Sequence, residues 1–292
     1  MLSILGTVLL IAVGVPLLLL LLLFLMPRPL LAFLDGRVTR ALDIENFNRQ
    51  SPYSNPGFAP VHHEVDHGEV RVEGTLPADF SGIYLRNGTN TQFSELNSRM
   101  HMFNGAGMVH QVQVKDGVAT YSNSYVRTSR FDIEREAGRE VYPEFGDLAG
   151  GGKAGLFRII LDLLKKRFGI IPKLETLENS SATTAIQYHN GKLYCLQETS
   201  YPFALDVEEK EGRLALSGKG SWDNFHNALD TPFTAHPKID PVTGDWYTFS
   251  TDLMTGRIHY SVLRSGRLDK HVELLTEKPA LAFLHDYYLT EN

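Results

Sequence analysis

The sequence predicts an all-β protein of repeated antiparallel hairpins, with one helical insertion and an apolar segment at the N-terminus. From about residue 64, short segments rich in β-branched and aromatic residues alternate with Asp-Gly and Asn-Gly turns. The hairpins recur roughly every 40 to 50 residues, which is the spacing of β-propeller blades. No strict sequence repeat accompanies this spacing, so a propeller is favoured and a β-sandwich stays open.

The composition of the 292-residue chain excludes several classes of function. Its net charge of −6 gives no overall electrostatic support for binding nucleic acid. Cys195 is the single cysteine of the sequence, which excludes a disulfide framework and a zinc site made of several thiolates. Its apolar neighbours predict a small, buried side chain. The 11 histidines, in contrast, allow a metal site made of imidazoles.

Residues 1–27 form an apolar segment without a charged side chain. Because about 20 apolar residues can span a bilayer as a helix, we expect a transmembrane anchor or a targeting helix here. Three arginines follow it, and the positive-inside rule then places the body of the protein in the cytosol. A cleaved signal peptide is the alternative, although a basic start and a clear cleavage site are missing. We therefore expect a single-pass or peripherally inserted membrane protein, with the organelle left open between endomembrane and plastid.

Residues 28–60 are predicted to be a connecting segment, and residues 61–292 a propeller domain. Three hairpins are the clearest in this domain, and a turn at 264–267 could close a fourth. The three hairpins lie at 110–121 around Asp116-Gly117, at 185–196 around Asn190-Gly191, and at 246–262 around Met254-Thr255-Gly256.

Residues 156–171 interrupt the β pattern with an amphipathic helix. Its apolar side chains recur at the spacing of one helix face, and basic residues flank them. The apolar stripe consists of Leu156, Ile159, Ile160, Leu163 and Leu164, and the basic residues are Arg158, Lys165, Lys166 and Arg167. Such a helix packs on the β body or lies in a membrane surface. The apolar N-terminal segment favours contact with a membrane.

His236 is the first candidate metal ligand. Pro237 follows it and biases its backbone toward an extended conformation, and residues 240–244 then turn the chain. A histidine at a strand end, before a rigid turn, can hold an imidazole nitrogen at a fixed point, as a metal site requires. A hydrogen-bonded loop histidine is the alternative interpretation.

His285 and Glu198 strengthen the metal-site interpretation. His285 lies 49 residues after His236, about one blade further along the chain, and equivalent positions on successive blades face a common axis. Glu198 follows the apolar strand 193–196, where a buried carboxylate needs a partner. The N–H group of a metal-bound imidazole is such a partner. The alternatives are a core or surface histidine and an exposed glutamate.

Several motifs, in one order along the chain, carry a resemblance to a known family. They are LPADFSGIYLRNG at 76–88, HMFNGAGMVH at 101–110, FTAHPKIDPVTG at 233–244, LHDY at 284–287 and TEN at 290–292. Together they closely resemble the carotenoid cleavage oxygenases, and in particular the plant-type carotenoid cleavage dioxygenases. Those enzymes also have a helix that begins like residues 152–156. The resemblance covers residues 64–292.

The resemblance implies a seven-bladed β-propeller with a helical cap and a non-haem ferrous ion on its axis. Four histidines hold the iron in this family, and glutamates contact three of them. Dioxygen is added across a double bond of a carotenoid or apocarotenoid, which gives two carbonyl products. By position, His236 and His285 match the first two iron histidines, and Glu198 matches one of the glutamates. Neutral imidazoles suit Fe(II).

The sequence also departs from the family pattern. It ends at Asn292, before the positions of the other two iron histidines, so we expect a partial sequence with about the first half of the propeller. His259 and His271 lie in the wrong context to replace them. Residues 104–107 and 180–184 also differ from the usual family motifs, away from the expected ligands.

The leading hypothesis from the sequence is therefore an iron-dependent dioxygenase that cleaves a carotenoid or apocarotenoid. Cleavage of a stilbene or isomerisation of a retinoid on the same scaffold is the nearest alternative. A membrane-anchored propeller fragment without catalytic activity is the alternative from a different class.

Overall fold

The computed structural model describes residues 10–210, 212–252, 255–278 and 284–290. The chain divides into two units. The helical unit comprises Met1–Phe58, Glu95–Met102 and Arg139–Lys173, and the sheet unit comprises Ala59–Ser94, Phe103–Gly138 and Leu174–Asn292. The candidate site residues all belong to the sheet unit.

Helices account for most of the helical unit. In chain order, the α-helices of the described residues are α1 Val15–Leu25, α2 Pro27–Leu42, α3 Ile44–Gln50, α4 Ser129–Ala137, α5 Phe145–Leu148 and α6 Gly152–Arg167. A π-helical turn, Leu10–Gly14, precedes α1, and the 3-10 turns Pro52–Ser54 and Pro56–Phe58 follow α3. The helix α4 belongs to the sheet unit.

The strands of the described residues form three four-stranded antiparallel sheets. Their orders are β1-β4-β3-β2, β5-β6-β7-β8 and β9-β10-β11-β12. The strands are β1 Val65–Glu69, β2 Gly82–Asn90, β3 Ala106–Lys115, β4 Val118–Tyr125, β5 Ala185–His189, β6 Lys192–Leu196, β7 Phe203–Lys210, β8 Arg213–Trp222, β9 Lys238–Ile239, β10 Trp246–Thr251, β11 Ile258–Arg264 and β12 Arg267–Leu274.

The predicted two-residue turns connect neighbouring strands within these sheets. Asp116-Gly117 joins β3 to β4 with φ of 53° and 75°, and Asn190-Gly191 joins β5 to β6 with φ of 45° and 79°. Positive φ at both positions is the conformation that matches the twist of a hairpin, and Asp-Gly and Asn-Gly adopt it most readily. Ser265-Gly266 makes the same turn between β11 and β12. Met254 of the remaining predicted turn lies outside the described residues, and the strands on either side of it pair as predicted.

The sheets of the sheet unit pack face to face through two apolar clusters. The strand β6 contributes to both, because successive side chains of a strand point to opposite faces. Leu193 and Cys195 join one cluster with Val109 and Val126, while Tyr194 and Leu196 join the other. The second cluster is completed by Phe225, Leu229, Phe233, Ala235, Trp246 and Leu263. A central strand buried on both faces is what stacked blades require, and the buried thiol of Cys195 is as predicted.

The expected single-pass membrane localisation, drawn from the apolar segment 1–27, is contradicted. Residues 1–9 lie outside the described part, and α1 has only 11 residues. It ends at Leu25. The next residue, Met26, has a non-helical φ of −139° and ψ of 58°, because a residue before proline avoids the helical conformation. From Leu10 onward, none of the described helices has the length and apolar character needed to cross a bilayer. This finding overturns the expected single-pass membrane localisation.

The predicted amphipathic helix at 156–171 is α6, and it lies four residues earlier at each end. The helix is followed by Gly169, which adopts a left-handed φ of 61°. The Ile170 N–H group then donates to Lys165 O, which completes a C-terminal capping motif that favours glycine. The buried residues of α6 are Gly155, Leu161 and Asp162, whereas Leu156 and Leu163 of the predicted stripe are exposed. The predicted membrane contact depended on the N-terminal anchor and is not supported.

Candidate metal centre

His236 is held at the entrance to β9, the short edge strand of its sheet. Its backbone N–H donates to Thr234 Oγ1 at 3.2 Å, and Thr234 N–H donates to Thr248 Oγ1 at 3.4 Å. Both threonines are buried. Pro237 keeps the chain extended, and Lys238 then pairs with Tyr247 of β10. The sequence therefore places the imidazole at a strand end with a defined backbone, as predicted.

Glu198 and His285 approach His236 from two other parts of the chain. Glu198 lies two residues after the end of β6, and its side chain is largely buried. His285 lies in residues 284–290, a segment without regular secondary structure. Glu198 Oε1 is 2.5 Å from His285 Nδ1. When the imidazole proton lies on Nδ1, facing this carboxylate, Nε2 has a lone pair to donate.

The three side chains form one cluster. His285 Nε2 is 3.1 Å from His236 Nε2, and the two rings are nearly perpendicular, with an interplanar angle of 79°. One ligand atom from each of the three residues lies within 4.8 Å of the others. The structure thus brings together all three residues that the sequence singled out, with two imidazole nitrogens facing each other.

The donor set fits a divalent transition metal. Two imidazole nitrogens 3.1 Å apart are close enough for both to reach one ion at the ~2.1 Å typical of imidazole on zinc, so His236 and His285 would hold it together. The alternative is a direct N–H···N hydrogen bond between the rings. A carboxylate on the far nitrogen of one ring is the arrangement that orients metal-bound histidines.

Comparisons with known proteins agree with the motifs around this cluster. Residues 58–292 match the family model described as "RPE65: Retinal pigment epithelial membrane protein". The chain belongs to the RPE65 and carotenoid cleavage dioxygenase family. It is 35% identical over 242 residues to carotenoid 9,10(9',10')-cleavage dioxygenase 1 of Arabidopsis thaliana, a match that covers 82% of this chain and 43% of the relative.

Two solved structures extend the comparison to the fold. The lignostilbene dioxygenase of Pseudomonas brassicacearum matches with a TM-score of 0.64 and 25% identity, over 83% of this chain and 46% of that one. Cobalt-substituted Synechocystis apocarotenoid oxygenase matches with a TM-score of 0.56 and 26% identity, over 80% and 46%. The sheet-rich propeller architecture is confirmed, and the number of blades stays a prediction. The chain spans less than half the length of these relatives.

Within this family framework, burial acts on His236 in a way that suits a ligand. Burial lowers the pKa of His236, and the neighbouring His285 lowers it further, while Asp286 and Glu198 oppose the shift. A lowered pKa keeps the imidazole neutral at neutral pH, and only the neutral ring has a lone pair to donate.

His259 and His271 lie apart from the cluster, as the sequence context indicated. They are on β11 and β12, with parallel rings 5.3 Å apart. His271 contacts Ser261 Oγ at 2.8 Å and Asp230 Oδ1 at 3.1 Å. These contacts join His271 to β11 and to the connection between β8 and β9.

Three residues at the site were missed from the sequence, namely Lys238, Asp286 and Tyr287. Lys238 Nζ is 2.6 Å from Asp286 Oδ1, and the Tyr287 hydroxyl reaches the backbone of β9 and β10. Asp286 and Tyr287 belong to the family motif at 284–287, which was the available signal. Asp286 and Tyr287 contact Lys238, which lies 48 and 49 residues earlier in the chain. The motif itself therefore gave no sign of these contacts.

Proposed function

We propose that this chain is part of a non-haem Fe(II)-dependent dioxygenase and that His236 and His285 are two of its iron ligands. We further propose that the whole protein cleaves a conjugated double bond of a carotenoid or apocarotenoid. The observation that carries the proposal is the pair of imidazole nitrogens 3.1 Å apart, with the Glu198 carboxylate 2.5 Å from Nδ1 on the far side of the His285 ring. Residues 61–292 would then form about three of the seven blades of the propeller.

Each of the three residues has a defined part in this function. His236 and His285 each donate an Nε2 lone pair. Glu198 fixes the tautomer and ring orientation of His285, and burial keeps His236 neutral. When bound, the ferrous ion supplies the capacity to activate dioxygen, and neutral nitrogen ligands suit it because they leave its charge available. Both oxygen atoms end in the products, one in each new carbonyl group.

The relatives support a carotenoid over other substrates. The Arabidopsis relative, at 35% identity, is named for cleavage of carotenoids at the 9,10 and 9',10' bonds. Cleavage of a stilbene is the second candidate, since the lignostilbene dioxygenase matches with a TM-score of 0.64. Incubation of the iron-loaded whole protein with an apocarotenal and with a hydroxylated stilbene, followed by chromatography of the aldehydes, separates the two. Metal binding without either product would favour the non-catalytic alternative.

Metal binding tests the ligand assignment directly. Cobalt(II) is a suitable probe because it gives visible absorption and has been placed in the Synechocystis relative. We expect the chain to bind one cobalt ion. Because loss of a residue that only orients a ligand weakens binding by up to about 100-fold, His236→Ala or His285→Ala should weaken it by more than that. Glu198→Gln should weaken it by about 10- to 100-fold.

The exposed His62 provides the matched control. His62→Ala removes one histidine of the sheet unit without touching the cluster and should bind cobalt as the wild type does. Equal binding by His236→Ala, His285→Ala and His62→Ala would show that the ligand assignment is incorrect.

A further inference from the structure

His285 lies in a segment that has no strand ladder to fix it. Residues 284–290 form no regular secondary structure, whereas His236 directly precedes the paired strands β9 and β10. A metal site loses affinity when its ligands depart by about 0.5 Å from the required geometry. The 3.1 Å separation of the two Nε2 atoms therefore depends on side-chain contacts that fix this segment.

Tyr287 makes contacts of this kind. Its hydroxyl donates to Tyr247 O and accepts from Lys238 N–H at 3.3 Å. Lys238 and Tyr247 are directly paired across β9 and β10, so one hydroxyl bonds both strands at the same rung. The ring of Tyr287 also packs edge-on against Phe249, with centroids 4.6 Å apart.

A second contact links the two ligand segments through side chains. Lys238, two residues after His236, forms a 2.6 Å ion pair with Asp286, which directly precedes Tyr287 and follows His285. Both side chains are partly exposed, and exposed ion pairs contribute little energy. The pair therefore assists in directing the segment, and the partly buried Tyr287 carries most of the constraint.

We propose that Tyr287, assisted by the Lys238–Asp286 ion pair, is a positioning residue that holds His285 at its distance from His236. Tyr287 acts through His285 and does not contact the ion. This role rests on the proposed function, because it matters only if the two imidazoles share a metal. The proposal gives Tyr287 a role in metal affinity, although it is neither a proposed ligand nor the glutamate paired with His285.

The test compares Tyr287→Phe with Tyr288→Phe in the 292-residue chain. Tyr288 is the adjacent residue with the same side chain, and it is 96% exposed. Tyr287→Phe removes the hydroxyl bonds to both strands and keeps the ring against Phe249, so folding should be preserved. We expect Tyr287→Phe to lower cobalt affinity by about 10-fold or more, the lower range for residues that orient metal ligands, and to shift the visible cobalt spectrum. Tyr288→Phe should change neither.

Two further measurements keep the outcome clear. Lys238→Met removes the ion pair but keeps the backbone bond to Tyr287, so it should lower affinity less than Tyr287→Phe and serves if that variant unfolds. Equal cobalt affinity and identical spectra for the wild type, Tyr287→Phe and Lys238→Met would overturn the positioning role while the ligand assignment stands. A wild type that binds no cobalt, or His285→Ala that binds it normally, overturns the ligand assignment and the positioning role with it.

Discussion

The sheet unit and the helical unit are stabilised by different kinds of buried contact. In the sheet unit, the strands bury their apolar faces, and aromatic rings such as those of Phe233 and Trp246 pack between sheets. In the helical unit, α6 buries Gly155 and Asp162 and leaves Leu156 exposed. Hydrophobic periodicity therefore indicates the buried face correctly for the strands and incorrectly for α6.

Charge and close backbone packing explain the orientation of α6. Arg158 and Lys165 both bind Asp35 of α2, at 2.9 and 2.8 Å. Gly155 allows the approach of the Asp147 carbonyl, because a Cβ at that position would lie 2.3 Å from this oxygen. The helix face with small and charged residues is therefore the one that packs within the unit.

The largest expected effect is on the aromatic cluster of the sheet unit. Trp246 is 0% exposed, and its ring stacks on His189 with centroids 4.5 Å apart. Trp246→Ala should lower the free energy of unfolding by about 3–5 kcal/mol, the usual cost of removing a buried aromatic side chain. Denaturant titration followed by circular dichroism measures it. Tyr188→Ala removes an aromatic side chain that is 66% exposed and should change stability by about 0.5 kcal/mol or less.

The next effect compares two leucines on the same helix. Leu161 is 4% exposed and lies outside the stripe that the sequence predicted to be buried, while Leu163 belongs to that stripe and is 59% exposed. Leu161→Ala should cost about 2–3 kcal/mol, and Leu163→Ala about 0.5 kcal/mol or less, in the same denaturant titration. The reverse order would mean that periodicity, and not charge, decides which face of α6 is buried.

Much of the sheet unit was predictable because its signals are local. Asp116-Gly117 and Asn190-Gly191 specify their hairpins through backbone conformation alone. The uninterrupted apolar run at 193–196 is typical of a strand buried on both faces. Glu198 could be singled out because it follows this strand, and His236 because Pro237 and the turn at 240–244 fix the backbone around it.

The remainder depends on contacts between distant residues. The ion pair of Arg158 with Asp35 joins residues 123 positions apart, and no local pattern indicates it. The N-terminal apolar segment gave a helical signal without showing that α1 covers only Val15–Leu25 of it. The bonds of Tyr287 to the β9–β10 pair likewise required the folded sheet.

The smallest of these effects tests the charged face of α6. Arg158→Met removes the 2.9 Å bond to Asp35 and the cation 3.6 Å from the fully buried Asp147, whose pKa burial raises. Breaking a wholly buried ion pair lowers the free energy of unfolding by about 3–5 kcal/mol. Because Asp35 is partly exposed, we expect a loss of about 1–2 kcal/mol for Arg158→Met. Arg49→Met removes an exposed helical pair with Glu45 and should cost about 0.5 kcal/mol or less. Equal losses of unfolding free energy in the two variants would mean that the charges of α6 do not stabilise the helical unit, and that the close packing at its glycines accounts for the buried face.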